Sequence, residues 1–135
     1  IKSIPINLEI SSNFKMLKIA LKSNPEFVCI VPEKRNEITT EGGLNILKNK
    51  KKIKKIVSSL NSKNIRTSLF INPKLKDIRM SKELNANCIE LHTGKISRMV
   101  KSKKNYTHEF KKIKKCAKYA NSLNIEVHAG HGLDY

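Results

Sequence analysis

The sequence contains no tryptophan, and aromatic residues make up only 5% of its 135 residues. It therefore lacks the aromatic platform on which proteins stack single-stranded nucleic acids, and it shows no helix-turn-helix or zinc-finger spacing. No run of about 18 apolar residues predicts a membrane span, and the first residues lack a signal-peptide pattern. The three widely spaced cysteines form no C-x-x-C pair, which argues against a disulfide framework or cysteine zinc site and favours a cytoplasmic location.

Acidic residues are also few, because 11 Asp and Glu stand against 28 Lys and Arg and give a formal net charge of +17. Such a balance is typical of nucleic-acid-binding proteins. Most lysines, however, lie between the apolar positions of predicted helices, as in 48–55 and 111–115. We therefore expect solvated outer helix faces and do not expect a nucleic-acid partner, but a basic polyanion-binding module stays open as the alternative function.

Five β-rich runs alternate with four helical patterns along the chain. The predicted strands are Ile4–Ile10, Phe27–Val31, Ile65–Ile71, Cys88–Thr93 and Ile125–Gly130, and helices are predicted over 13–24, 45–62 and 75–84 and from about 106 onward. A polar connector over 95–105 precedes the last helix. The apolar stripes expected to face inward are Ile46, Ile53, Ile56, Val57 and Leu60 in the second helix, Leu75 and Ile78 with Leu84 as a further candidate in the third, and Phe110, Ile113, Ala117 and Ala120 in the fourth. Strict alternation with short connections predicts a parallel sheet with right-handed crossovers. We expect a single domain over residues 1–135, and the start at Ile1 leads us to expect a segment of a longer protein.

Polar residues recur at or just beyond the carboxyl ends of four predicted strands: Glu9, Thr39, Glu90 with His92, and His131. An open doubly wound sheet concentrates its site at one switch point, whereas a (β/α)8 barrel collects side chains from many strands on one rim. The pattern therefore predicts an α/β fold of the TIM-barrel type, of which this chain supplies about five βα units.

Glu9 and Glu90 lie on strands that we expect to be largely buried, where loss of solvent suits a carboxyl group to general acid or base chemistry. A structural pairing with lysine or arginine is the alternative for each. His131 lies between two glycines, which let backbone amides approach a ligand, and imidazole titrates near neutral pH. Its alternative is a glycine turn that happens to carry a histidine.

The loop Thr39–Gly43 offers hydroxyl groups and flexible amides before a helix, which suits a phosphate or hydroxylated substrate; helix capping by Thr39 is the alternative. A metal site is a weaker hypothesis. His128 and His131 have H-x-x-H spacing and could join Glu90 and His92. His92 and His128 are equally compatible with satisfied side chains in a barrel interior.

These motifs together resemble the pyridoxine 5'-phosphate synthase (PdxJ) family. The resemblance rests on INLEI at 6–10, VPEKRNEITTEGGL at 31–44, SLFI at 68–71, IELHTG at 89–94 and AGHGL at 129–133. It implies a (β/α)8 barrel that condenses 3-amino-2-oxopropyl phosphate with 1-deoxy-D-xylulose 5-phosphate to pyridoxine 5'-phosphate in vitamin B6 biosynthesis, releasing phosphate and water. It also implies no metal or organic cofactor and a homo-oligomer, commonly an octamer.

The resemblance assigns roles to five residues of this sequence. Glu9 corresponds to the general base, His131 to the histidine that donates and accepts protons, and Glu90 to a transition-state stabiliser. Thr39 corresponds to a contact with the deoxyxylulose phosphate, and Gly132 to a contact with the aminoketone phosphate.

Two departures from the family pattern affect these expectations. The five units correspond to strands three to seven, so the first, second and eighth strands and their catalytic groups have no counterpart in these residues. His128 stands where the family commonly has asparagine. For the isolated 135-residue segment we therefore expect little or no activity.

Overall fold

The structure is a computed structural model that describes residues 4–33 and 42–133. Its strands are β1 (Asn7–Ser11), β2 (Phe27–Val31), β3 (Arg66–Ile71), β4 (Cys88–His92) and β5 (Glu126–Gly130). Its helices are α1 (Phe14–Ser23), α2 (Ile46–Asn61), α3 (Leu75–Glu83), α4 (Gly94–Lys101) and α5 (Thr107–Ser122). The predicted alternation of strands and helices is confirmed, except that two helices rather than one lie between β4 and β5.

All neighbouring strands pair in parallel, and their order in the sheet is the order of the chain, β1-β2-β3-β4-β5. Every crossover therefore moves one strand further in the same direction. A doubly wound sheet reverses direction at its switch point, whereas a barrel wall does not. The strand order confirms the predicted barrel type over the described residues.

The helices cover one face of this sheet. Ile10, Ile30, Leu69 and Ile89, which form one register row across the sheet, are at most 1% exposed and pack with the apolar stripes of the helices. The side chains of successive strand residues point to opposite faces of a sheet. The other face therefore carries the row formed by Glu9, Cys29, Ser68 and Cys88. One-sided coverage is what a barrel wall requires, because the uncovered face becomes the barrel interior.

Asparagine ends most of the helices. A left-handed backbone, with φ between 47° and 60°, occurs at an asparagine at or just after the ends of four helices: Asn24, Asn64, Asn85 and Asn124. Asparagine tolerates this conformation better than other residues with a side chain. These four helix ends therefore need no glycine.

The predicted stripe of α2 is confirmed, because Ile53, Ile56 and Leu60 are fully buried. The prediction that the connector before α5 has no helix is wrong. The polar connector 95–105 contains the helix α4, so the described residues hold five helices rather than four. Its amphipathic spacing is short, and its first amide is capped by a side chain, as described below.

The predicted stripe of α5 is confirmed at Ala120, which is fully buried, and at Ile113 and Ala117, which pack against the core, but it is wrong at Phe110. Phe110 was expected to face inward but is 52% exposed, whereas the preceding Glu109 is only 3% exposed. Lys95 Nζ lies 2.7 Å from one Glu109 oxygen and Lys112 Nζ lies 3.5 Å from the other. Two ammonium groups therefore compensate a buried carboxylate. In α3, Ile78 is buried as predicted, while Leu75 is 36% exposed.

A membrane-spanning helix would need a longer and more apolar stretch than any helix in residues 4–33 and 42–133 provides.

The Glu109 ion pairs predict a pH-dependent contribution to stability. Burial alone would raise the pKa of Glu109, but the hydrogen bond from Lys95 and the charge of Lys112 outweigh it and lower the pKa. The contribution is therefore fully present above the unfolded-state pKa of about 4.3 and is lost as pH falls through the lower folded-state value. We expect Glu109→Gln to lower the free energy of unfolding by about 1–2 kcal/mol at pH 7, with the difference shrinking below about pH 4.

Urea unfolding of the full-length protein at several pH values measures this difference. Lys114→Gln, an exposed change in the same helix, is the control and should leave stability within about 0.5 kcal/mol. A Glu109→Gln deficit that stays constant down to pH 3 would contradict the ion-pair explanation.

Candidate active site

The carboxyl ends of the strands bring most of the predicted site residues to one edge of the uncovered sheet face. Glu9 is aligned with Cys29 across β1 and β2, and its side chain is exposed rather than buried as expected. The difference arises because β1 is the edge strand of the described sheet. Thr39 lies outside the described residues.

Glu90, on β4, is half-buried and held by two contacts. The Cys29 thiol donates a hydrogen bond to its Oε2 atom at 3.6 Å. On the other side, a Cβ atom added to Gly130 would lie 1.9 Å from Oε1, so the absence of a side chain at Gly130 makes room for the carboxylate. The Glu90 carboxylate is therefore confined between a thiol and a glycine.

The Cys29 thiol stays protonated in this position. Burial, followed by the negative charges of Glu90 and Glu9, raises the pKa of Cys29 to about 12. The charges of both glutamates therefore act on the same buried thiol, in the middle of β2. A thiol is a weak but neutral donor, so it can hold a carboxylate without adding a competing charge.

His131 follows Gly130 at the end of β5 and has a left-handed backbone, with φ of 77°. This conformation is uncommon for a residue other than glycine. Cross-links from β4 and α4 fix it: Thr93 donates from its amide to the Gly130 carbonyl at 2.9 Å and from its hydroxyl to the His131 carbonyl at 2.9 Å. The Ser97 hydroxyl donates to the Gly132 carbonyl.

The His131 ring belongs to a cluster of three rings. It packs on Phe70 with ring centroids 4.2 Å apart and meets His92 at 5.2 Å in an edge-on arrangement. Phe70 and His92 are 5.0 Å apart. Phe70 is only 2% exposed, so it forms a rigid base for both imidazoles.

The loop after β2 returns to this cluster at Gly42 and Gly43. The Gly43 amide donates to the Asn72 side-chain oxygen at 3.1 Å, and the Leu44 amide donates to the Phe70 carbonyl at 2.8 Å. A side chain at either glycine would collide with its surroundings. A Cβ atom at Gly42 would lie 2.6 Å from His92 Nε2, and a Cβ atom at Gly43 would lie 2.6 Å from the backbone nitrogen of Asn72. These hydrogen bonds hold the end of the loop after β2, at Gly43 and Leu44, beside β3.

Sequence reasoning missed Cys29 and Phe70 as parts of this site. The signal that could have found them is the alternation of side chains along each strand, which assigns every second residue to the same sheet face. In the folded sheet, Cys29 is aligned with Glu9, and Phe70 is aligned with Glu90. Glycine is a second signal. All 5 glycines of the chain, namely Gly42, Gly43, Gly94, Gly130 and Gly132, lie in or beside the loops of this edge.

The metal hypothesis based on His128 and His131 receives no geometric support among the described residues. The group there whose potential ligand atoms lie within 4.8 Å of one another is Cys88, Glu126 and His128, near the opposite ends of β4 and β5. The Arg66 guanidinium pairs with Glu126 and lies 3.7 Å from the Cys88 sulfur. A fixed positive charge at this place opposes cation binding.

Comparison with known proteins links this arrangement to one family. The family of the pyridoxal phosphate biosynthesis protein PdxJ matches residues 1–135. A pyridoxine 5'-phosphate synthase of Pelagibacter ubique is 64% identical over 134 residues, which are 99% of this chain and 56% of that protein. Those of Zymomonas mobilis and Prochlorococcus marinus are 50% and 48% identical, over 98% and 96% of this chain and 51% and 54% of theirs.

The chain thus spans about half the length of the curated relatives it matches. The match extends over all the loops that form the edge described above. The chain belongs to the PdxJ family.

Proposed function

We propose that the protein carrying this chain is a pyridoxine 5'-phosphate synthase that condenses 3-amino-2-oxopropyl phosphate with 1-deoxy-D-xylulose 5-phosphate. The observation that carries the proposal is the 64% identity, over 99% of the chain, to a relative named for this activity. The clustering of Glu90, His131 and the rim glycines supports it, because it supplies proton-transfer groups beside loops that admit phosphate esters.

The condensation needs several proton transfers. The substrate amine attacks the ketone and water leaves to form an imine, phosphate is then eliminated, and an aldol-type closure completes the ring. Glu9 is proposed to remove protons from carbon, and His131 to donate and accept protons at the departing and arriving oxygens. The His131 ring is held on Phe70 and by a cross-linked backbone, which suits repeated proton transfer in one geometry.

Glu90 is proposed to stabilise positive charge that develops on the substrate nitrogen during imine formation. Its carboxylate has little freedom, since the Cys29 thiol and Gly130 confine it on two sides. Preorganised charge of this kind acts without reorganisation when the reaction occurs.

Gly132 is proposed to contact the aminoketone phosphate. It borders a cavity of about 180 Å³ that is lined by Ser97 and Lys101 and by the apolar side chains of Ile96, Val100 and Leu133. A hydroxyl, an ammonium group and a glycine backbone form a suitable environment for a phosphate group.

We assign the complete reaction to the closed eight-stranded barrel, of which the described residues form five strands. In the described sheet, β1 and β5 each have one neighbouring strand and an open edge. Open edges neither enclose a substrate nor exclude water. We therefore propose residues 1–135 as the central part of a single barrel domain, inactive in isolation, in a cytoplasmic homo-oligomer that needs no cofactor.

Neutral variants of the two proton-transfer residues test this function. Glu9→Gln and His131→Asn in the full-length protein should each lower kcat on the order of 100-fold or more, because general acid–base catalysis contributes at least that much. Both should fold normally, since both side chains are exposed. Steady-state formation of pyridoxine 5'-phosphate measures kcat, and near-normal turnover by both variants would refute the assignment.

The close contact between Glu90 and Gly130 predicts that a methyl group added at Gly130 lowers the catalytic rate. Gly130→Ala should push the carboxylate out of place and lower kcat by about 10-fold or more, because small misplacements of catalytic groups are costly. Stability should change little, since the displaced atoms are the end of a flexible side chain. Ala129→Ser, at the exposed neighbour on the opposite face, is the control. Equal kcat values for both variants would argue against a role for Glu90 placement.

The rival function is polyanion binding by the lysine-rich helices. The observation behind it is that Lys51 and Lys55 of α2 and Lys114 and Lys118 of α5 are exposed. However, α3 packs between these two helices, and its Glu83 pairs with Lys50 at 2.7 Å. The basic faces are therefore separated and partly neutralised.

We expect no nucleic-acid binding at physiological salt, measured by fluorescence anisotropy with labelled duplex and single-stranded oligonucleotides. At low salt, any binding should be weak and unrelated to sequence. Two results would favour the rival function: affinity that is retained at about 150 mM salt, and a plot of log affinity against log salt concentration whose slope corresponds to several phosphate contacts.

A further inference from the structure

Thr93 occupies a position whose side chain commonly caps a helix, but its hydroxyl does not cap one. It is the residue before α4, and its side chain makes no hydrogen bond to the first turn of that helix. A threonine at this position usually accepts a hydrogen bond from an amide of the first turn. Here the Gly94 amide donates instead to Nδ1 of His92, at 3.1 Å. The Thr93 hydroxyl can therefore make a contact outside its own helix.

That contact is made with the loop after β5. The hydroxyl has one proton, which it shares between the carbonyl oxygens of Gly130 and, at 2.9 Å, His131. The Thr93 amide also donates to the Gly130 carbonyl, at 2.9 Å. Thr93 is only 4% exposed, so water competes little for these hydrogen bonds. Both the backbone and the side chain of Thr93 thus hold the start of this loop.

His131 needs such support because of its backbone conformation. Its φ of 77° lies in the left-handed region, which a residue with a side chain keeps only when its surroundings favour it. In this conformation the ring packs on Phe70, with ring centroids 4.2 Å apart. A change of φ at His131 would turn the Cα–Cβ bond and move the ring away from Phe70. The hydrogen bond to the His131 carbonyl therefore also determines where the imidazole lies.

We propose that Thr93 is a positioning residue whose hydroxyl holds the His131 imidazole in place for proton transfer. This inference rests on the proposed function, in which His131 donates and accepts protons. Thr93 acts through the backbone carbonyl of His131. Because proton transfer depends steeply on the geometry of donor and acceptor, a displaced ring lowers kcat more than it lowers the affinity for substrate.

Two substitutions separate the hydroxyl from the shape of the side chain. Thr93→Val keeps the size and the branched Cβ atom but removes the donor, whereas Thr93→Ser keeps the donor and removes the methyl group. Thr67→Val is the matched control. Thr67 is fully buried, and its hydroxyl donates to the Asn61 side-chain oxygen at 3.2 Å, near the amino end of β3. The control therefore removes the same buried group at the opposite end of the sheet from His131.

The experiment measures kcat and KM of the full-length protein. We expect Thr93→Val to lower kcat about 10-fold or more, with KM for deoxyxylulose phosphate within about 3-fold of the unmodified protein. Thr93→Ser should keep kcat within about 3-fold of the unmodified protein. Thr67→Val should leave kcat unchanged, even where it lowers the melting temperature.

A combined variant tests whether Thr93 acts through His131. When Thr93→Val is added to His131→Asn, kcat should fall by no more than about 2-fold further, because the ring that Thr93 positions is absent. The same loss of kcat in both backgrounds would reveal a general structural role and overturn the inference. Normal kcat in Thr93→Val, or equal losses in Thr93→Val and either Thr93→Ser or Thr67→Val, would also overturn it.

Absence of turnover in the unmodified protein would refute the proposed function instead, and crystal structures then decide the role of Thr93. The unmodified protein and Thr93→Ser should both show His131 with a left-handed backbone and its ring on Phe70. In Thr93→Val, the ring should leave Phe70. An unmoved ring in Thr93→Val would exclude the positioning role.

Discussion

The parallel register of the five strands is the constraint on which the rest of this structure depends. It aligns Glu9 with Cys29, Glu90 with His128 and His92 with Gly130. Because successive side chains point to opposite faces, a slip of β4 by one residue would turn Glu90 and His92 under the helices and expose Ile89 and Leu91. Burial of those two apolar residues therefore fixes the direction of the catalytic candidates.

The positions of glycine and asparagine in this chain meet two different structural needs. Asparagines such as Asn64 and Asn124 supply the left-handed turns after helices, where a polar side chain can project into water. At the carboxyl edge of the sheet, by contrast, Gly42 and Gly94 border His92, and Gly130 borders Glu90, so closely that a Cβ atom on any of these glycines would collide. Glycine is thus used where space is needed rather than where backbone freedom alone is needed.

The sequence was sufficient for the alternation of elements, the stripe of α2 and the edge at which the polar residues gather, because all three depend on local periodicity. It was not sufficient for the burial of Glu109, which depends on Lys95 and Lys112 reaching it from two directions. Nor could it supply the thiol contact of Glu90, since Cys29 is 61 residues away in the chain. Contacts between strands require the register, and the register requires the folded sheet.

For the proposed synthase, we expect the lysines on the outer helix faces to contribute little to substrate binding. Exposed lysines such as Lys51 and Lys114 lie on the outer faces of helices, about 10 Å or more from the sheet, which is a helix diameter. At physiological salt this separation exceeds the screening length of about 8 Å. The rim itself carries the carboxylates of Glu9 and Glu90, which repel a phosphate ester. The amides of the glycine loops, and beside Gly132 the ammonium group of Lys101, are therefore expected to provide most of the attraction for the proposed substrate oxygens.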